Sequence, residues 1–205
     1  MTPPLPDKKY NIIYADPPWS YTDKRTSAGP SGNKAGGAEN HYPTMGIEDI
    51  KALPIGDLAD DPCILFMWAT WPLMPVWNDV IESWGFKYKT LGFEWVKTYP
   101  KSGKVCIGAG AYTRSNAEPL LIAVRGKGAS LIKDHSISNI VMAPRGKHSA
   151  KPQVFRDKIV QLVGDLPRVE LFSRNNVPGW DVWGNQVGVM DEEVEPSLSV
   201  ESFFS

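Results

Sequence analysis

The feature that most limits how this chain can fold is a largely apolar run, Tyr10-Asn11-Ile12-Ile13-Tyr14-Ala15, that stops at Asp16-Pro17-Pro18-Trp19. Such a run has no alternating polar face, so residues 9–15 read as a strand buried on both sides. Two consecutive prolines have no N–H to give to a sheet ladder and end it there. An acid and an aromatic are thereby fixed at the carboxyl end of a buried strand. The prolines leave the local carbonyls as acceptors, which together with the Asp16 carboxylate can hold the N–H groups of an amine. Trp19 offers a flat face on which a base can stack. The plainer alternative is a proline turn capping a strand, with Trp19 in the core.

The rest of the chain alternates short apolar runs with helical patterns. Residues 62–69 and 118–125 are apolar runs that read as buried strands, the second closed by Gly126. Residues 86–97, 138–142 and 169–172 read as further strands. A short helix is expected at 47–52 and an amphipathic one at 72–84, stopped by Gly85. Another is expected at 151–164, where Val154, Phe155, Ile159 and Leu162 share one face. Buried strands alternating with helices indicate an α/β sheet covered on both faces, in which ligands bind outside the carboxyl ends of the strands. Residues 1–8 read as a flexible arm, 9–187 as one domain, and 188–205 as an acidic flexible tail without Lys or Arg. The polar, Gly-rich stretch 20–46 is long for a loop inside a compact domain.

Composition narrows the class. The chain has 205 residues and a net charge of −1, but between Lys87 and Lys158 fourteen Lys or Arg face only four acids. A basic face on a neutral protein can still contact phosphates. The loops 97–104 and 125–133 are the candidates for that contact. No apolar run is long enough to span a membrane, and residues 1–6 lack the pattern of a signal peptide. Cys63 and Cys106 lie in apolar surroundings and read as reduced core residues of a cytoplasmic protein. His41, His135 and His148 have no partners at metal-ligand spacing, so no metal site is expected.

A second informative segment is Glu170-Leu171-Phe172-Ser173-Arg174-Asn175-Asn176, followed by Trp183-Gly184-Asn185-Gln186. An acid near a strand end suits ribose hydroxyls, and Arg174 and Asn176 supply donors for a nucleoside and a carboxylate. Asn185 and Gln186 can serve ribose or adenine edges, although Asn and Gly also form ordinary turns. A third is His148-Ser149-Ala150-Lys151-Pro152, where a lysine beside a helix start suits a carboxylate.

With these residues in order, the chain resembles the DPPW-type (MT-A type) N6-adenine methyltransferases, a family typified by the catalytic subunit of the mRNA N6-adenosine methyltransferase. The match also runs through Tyr42-Pro43-Thr44-Met45, Trp68-Ala69-Thr70, Trp95-Val96-Lys97-Thr98, Asn116-Ala117-Glu118 and Val124-Arg125-Gly126. The resemblance implies a Rossmann-like fold with a mixed, mostly parallel sheet and permuted motif order, and S-adenosyl-L-methionine as cofactor. It implies that Asp16, Pro17, Pro18 and Trp19 are catalytic. Asp16, Lys151, Glu170, Phe172, Arg174, Asn176, Asn185 and Gln186 would hold the cofactor. Trp19, Tyr21, Trp68, Arg114 and Glu118 would face the substrate. Small size favours the bacterial or phage branch and adenine in DNA. The rivals are an RNA N6-adenosine methyltransferase, a non-catalytic nucleic-acid-binding subunit and a small-molecule methyltransferase. A homodimer is left open. The loop after Arg174 is a residue shorter than in the eukaryotic member, so the pairing of Asn175 and Asn176 with the family pattern can shift by one; the loop 20–40 has no counterpart of its length there, which puts the carry-over of substrate handling in question.

Overall fold

In the computed structural model, residues 3–20, 44–108, 112–146 and 150–185 are described. Strand β1 (Tyr10–Ala15) is buried along nearly its whole length and lies inside a seven-stranded sheet. The other strands are β2 (Ala59–Trp68), β3 (Lys87–Thr98), β4 (Ala117–Arg125), β5 (Ile140–Pro144), β6 (Arg168–Leu171) and β7 (Asp181–Trp183). Their spatial order is β5-β3-β4-β2-β1-β6-β7. Every neighbouring pair is parallel except those that involve β4. This is the mixed, mostly parallel α/β sheet expected from the alternating pattern. The strand following β1 lies on one side of it and β6 on the other, so the strand order reverses between β1 and β6. The crevice outside their carboxyl ends is the place where such sheets take ligands.

Period-two alternation splits the core into two layers. Ile13 and Ala15 of β1, with Cys63, Leu65 and Met67 of β2, pack under helices α1 (Ile47–Lys51) and α2 (Met74–Ser83). Ile12 and Tyr14, with Ile64, Phe66 and Trp68, pack under α3 (Val154–Val163) on the other face. The buried residues of α2, Trp77, Val80 and Ile81, recur at helical spacing, as do Phe155, Ile159 and Val163 of α3. Gly85 follows α2 with φ of 80°, the left-handed stop that only glycine adopts at no steric cost.

The structure adds to or differs from the sequence reading at three places. Helix α3 begins at Val154, so Lys151, Pro152 and Gln153 form its approach and not its first turn. Strand β7 was not foreseen, because three residues between Gly179 and Gly184 show no readable alternation. Residues 3–8, read as a flexible arm, make contacts with the rest of the domain. The Trp183 indole donates to the carbonyls of Pro3 and Pro4, the Lys8 ammonium pairs with Asp181 at 2.7 Å, and Leu5 packs against the core. The tail 188–205 and most of the loop 20–46 lie outside the described residues.

Phe155 is the hub of the second layer. Its ring makes edge contacts with Trp68 at 4.8 Å, Trp95 at 6.1 Å and Phe93 at 6.2 Å between centroids. We expect Phe155→Ala to cost about 3–5 kcal/mol in urea denaturation. A loss below about 1 kcal/mol would mean that α3 is not pinned to the sheet through this ring.

Candidate active site

The carboxyl ends of β1, β2, β3 and β6 meet the amino end of β4, because β4 alone runs the other way. This reversal brings Glu118, near the start of β4, to the same end of the sheet as Asp16. Four charges of alternating sign then line up on the α3 side. The Lys151 ammonium donates to Asp16 Oδ2 at 2.8 Å and lies 3.5 Å from Glu118 Oε2. Glu118 is hydrogen-bonded in turn by Lys97, whose ammonium sits 5.0 Å from the centroid of the Trp95 ring. Lys151 likewise stands 5.1 Å over the Trp68 ring.

Burial by itself would push both partners toward their neutral forms. For Glu118 burial raises the pKa, but Lys151 and Lys97 outweigh it and hold the carboxyl below the usual glutamate range. For Lys151 burial lowers the pKa, and Asp16 and Glu118 more than reverse this, so the ammonium keeps its proton beyond the ordinary lysine range. Two of its three N–H donors are directed at these acids.

A second pair stands beside this row. Glu170 of β6 is buried, and both its oxygens accept from the Arg156 guanidinium at 2.6 Å. Arg156 also lies 5.6 Å from the centroid of the Tyr14 ring. Asp16, Lys151, Arg156, Glu170, Phe172, Arg174 and Asn176 line one cleft at the β1/β6 reversal, with Val177 and Pro178 as its apolar wall. Phe172 has φ of 63°, a left-handed conformation uncommon for a non-glycine residue. An edge contact with Trp183 at 5.5 Å and the Ser173 N–H bond to the Trp183 carbonyl at 3.1 Å hold it there. Gly184 permits that approach, because a Cβ there would lie 2.4 Å from the Ser173 carbonyl oxygen.

The sequence-derived residues divide accordingly. Asp16, Lys151, Glu170, Phe172, Arg174 and Asn176 share the cleft. Asn185 is exposed just beyond β7 at the same end of the sheet. Glu118 belongs to the charge row, and Arg114 is exposed on the loop before β4. Tyr21 and Gln186 lie outside the described residues, as does His148. Trp68 is a correction: its side chain is 1% exposed, it donates to the Tyr14 hydroxyl at 2.6 Å, and it has no open face for a base. Trp19 is also buried and donates to the Trp68 carbonyl at 3.2 Å, so in this conformation it follows the plainer of its two readings. The Pro17 carbonyl accepts the Trp19 N–H at 2.8 Å and keeps a second lone pair.

Arg156 was missed. Its signal was indirect: a glutamate between Val169 and Leu171 in a buried strand needs a cationic partner. The two basic loops separate as well. The loop after β3 and Arg145, which stands 5.5 Å from the centroid of the Tyr99 ring, sit at the cleft end of the sheet. Residues 125–133 follow the far end of the reversed β4, where Arg125 donates to the Gly56 carbonyl at 2.6 Å.

The MT-A70 family model matches residues 10–186, the whole span of these elements from β1 to β7. The chain belongs to the MT-A70 family. It is 37% identical over 197 residues to the Type II methyltransferase M.MunI of Mycoplasma sp, covering 90% of this chain and 81% of that protein. It is 29% identical over 211 residues to the human N(6)-adenine-specific methyltransferase METTL4, covering 95% of this chain but 41% of METTL4. It is 27% identical over 192 residues to the N6-methyladenosine RNA methyltransferase MTA1 of Pyricularia oryzae, covering 87% of this chain and 47% of MTA1. This MT-A70 chain thus spans most of the bacterial relative and under half of the two eukaryotic ones.

The charge row carries a pH signature. Glu118 has a depressed folded-state pKa, so its contribution is fully present above the ordinary glutamate value of about 4.3 and is lost as pH falls through the folded value. We expect Glu118→Gln to destabilise by about 1–3 kcal/mol near neutral pH. The gap between variant and parent in urea denaturation closes as pH falls below the ordinary glutamate range and through the folded value. A gap independent of pH would remove the ionised Glu118 from the row.

Proposed function

We propose that this chain transfers a methyl group from S-adenosyl-L-methionine to the exocyclic N6 amine of adenine in DNA, within the cytoplasm of a bacterial or phage-infected cell. The observation that carries the reading is the Asp16 carboxylate at the β1/β6 reversal, held by Lys151 and adjoining the cleft. The donor set fits such a cofactor. Lys151 and Arg174 suit its carboxylate, Asp16 its ammonium, Glu170 and Asn176 its ribose hydroxyls, and Phe172, Val177 and Pro178 its adenine. When bound, the cofactor supplies an electrophilic methyl group on a positively charged sulfur.

The chain's own residues position the amine. An adenine amine is a poor nucleophile because its lone pair is spread into the ring. An N–H bond to Asp16 and a second to the free lone pair of the Pro17 carbonyl favour a tetrahedral nitrogen whose lone pair is released. Lys151 fixes the carboxylate's orientation and balances its charge. The proton shed by the amine passes to Asp16 or to water, so no stronger base is needed. Taking the base out of a duplex costs a few kcal/mol, which contacts on the protein must offset.

Similarity to the bacterial Type II methyltransferase, higher than to the RNA enzyme, supports DNA as substrate. The exposed Lys101, Lys104, Arg114 and Arg145 at the cleft end of the sheet suit its phosphates. Nucleoside mass spectrometry after incubation with S-adenosyl-L-methionine and duplex DNA, single-stranded DNA or RNA tests the reading. N6-methyladenine in DNA is expected; product in RNA alone, or in none of them, overturns it. In the same assay Asp16→Ala abolishes transfer while cofactor binding survives at least partly. Retained turnover would take Asp16 out of the mechanism.

Charge reversal separates the two basic loops. The double variant Lys101→Glu/Lys104→Glu is expected to weaken DNA binding and flatten its salt dependence by about two units of log–log slope. Lys127→Glu/Lys133→Glu, at the far end, leaves both unchanged. Equal effects of the two pairs, measured by fluorescence anisotropy across a salt series, would contradict the assignment of the interface to the cleft end.

A further inference from the structure

The α2 side of the same sheet end carries an aromatic group that the proposed chemistry leaves unused. Trp71 opens the short turn Trp71–Leu73 that follows β2, and it is 48% exposed. Exposing so large an apolar ring is unfavourable, yet this one is held in place and not left to swing. Its indole N–H is directed at Glu94 Oε1 at 3.4 Å. Its ring leans on Trp77 at 5.4 Å and 53°, and Trp77 is itself tied to the Thr70 carbonyl at 3.0 Å. Burial raises the Glu94 pKa, which fits a carboxyl set into the surface rather than waving in water.

Its position follows from the register. Ala15 pairs with Met67, so Pro17 stands level with Ala69. The Ala69 N–H donates to the Pro119 carbonyl at 3.1 Å, and Pro119 pairs with Glu94. Pro17, Ala69, Pro119 and Glu94 thus form one row across the sheet. Trp71 lies two residues past Ala69, roughly 7 Å of extended chain. That distance suits a neighbour of the group held at Pro17, not the group itself. The adjoining acid disfavours a phosphate, while a rigid ring with an open face favours a base, whose π-face stacks whatever its identity.

We infer that Trp71 is a stacking platform for the nucleobase next to the target adenine, a subsite that rests on the nucleic-acid reading above. Base flipping leaves neighbouring bases unstacked on one side, and an aromatic surface beside the site compensates for that loss. The rival occupant is a second copy of this chain, since Ile140, level with Glu94 on β5, is 53% exposed and Met142 is 60% exposed.

The test uses the full chain and a fluorescein-labelled, adenine-containing single-stranded DNA of mixed sequence, read by anisotropy. Trp71→Ala is expected to weaken binding by roughly fivefold to a hundredfold, the worth of one stacked base. Trp71→Phe, which keeps a ring, stays within about threefold of the parent. Binding of S-adenosyl-L-methionine and the thermal midpoint stay unchanged in both, which a merely structural role for the ring would not allow. Unchanged DNA affinity in Trp71→Ala overturns the inference. So does an equal loss in both variants, or self-association in sedimentation that Trp71→Ala abolishes. The methylation assay is run on the parent in parallel. Product from the parent with no effect of Trp71→Ala defeats this subsite alone, whereas no product on any adenine substrate defeats the underlying reading.

Discussion

Asp16 and Lys151 face each other at 2.8 Å across 135 residues of chain, and the whole arrangement of the cleft is tied to that contact. The Lys151 ammonium, largely shielded from water, keeps its charge because Asp16 and Glu118 stand against it. Extended by Lys97, these charges form a neutral row in which every ion has an opposite neighbour. The row fixes the approach to α3 against the end of β1, and α3 in turn brings Arg156 to Glu170. A buried ion pair adds little net stability over an apolar replacement, so its value lies in setting which geometry the cleft adopts. That geometry puts the Asp16 carboxylate beside the donors and acceptors that line the cleft.

The reversal of β4 is what makes the row possible. In an all-parallel sheet Glu118 would fall at the far end, with the residues that now sit beside Gly56. One antiparallel strand exchanges these positions and brings the loops flanking it to opposite poles. The charge row and the basic loop after β3 lie at one pole, and the basic residues of 125–133 lie at the other.

Much of this was legible in the sequence, for identifiable reasons. β1, β2 and β4 are dense apolar runs, and α2 and α3 carry helical periodicity, so local pattern was enough to find them. Asp16, Lys151 and Glu170 stood out because a charged residue beside a buried strand or helix start needs a purpose. What stayed hidden depends on long-range contact. β7 has only three residues and exists because β6 offers it a partner. Trp68 and Trp19 looked accessible because sequence does not show which aromatic is covered by others. Arg156 lies outside the apolar face of Val154, Phe155, Ile159 and Leu162 by which its helix was read, and its pairing with Glu170 is a contact between separate elements.

The docked segment 3–8 has a consequence of another kind. β7 is an outermost strand, and an uncovered outer strand is a template on which a foreign chain can add itself. Pro3 and Pro4 reach the Trp183 end of β7, and Lys8 meets Asp181 at its beginning, so the segment runs alongside it. A segment with prolines at 3, 4 and 6 cannot offer a full ladder of its own. It therefore guards the margin of the sheet without extending it, and shortening the protein from this end would exchange a soluble edge for an aggregation-prone one.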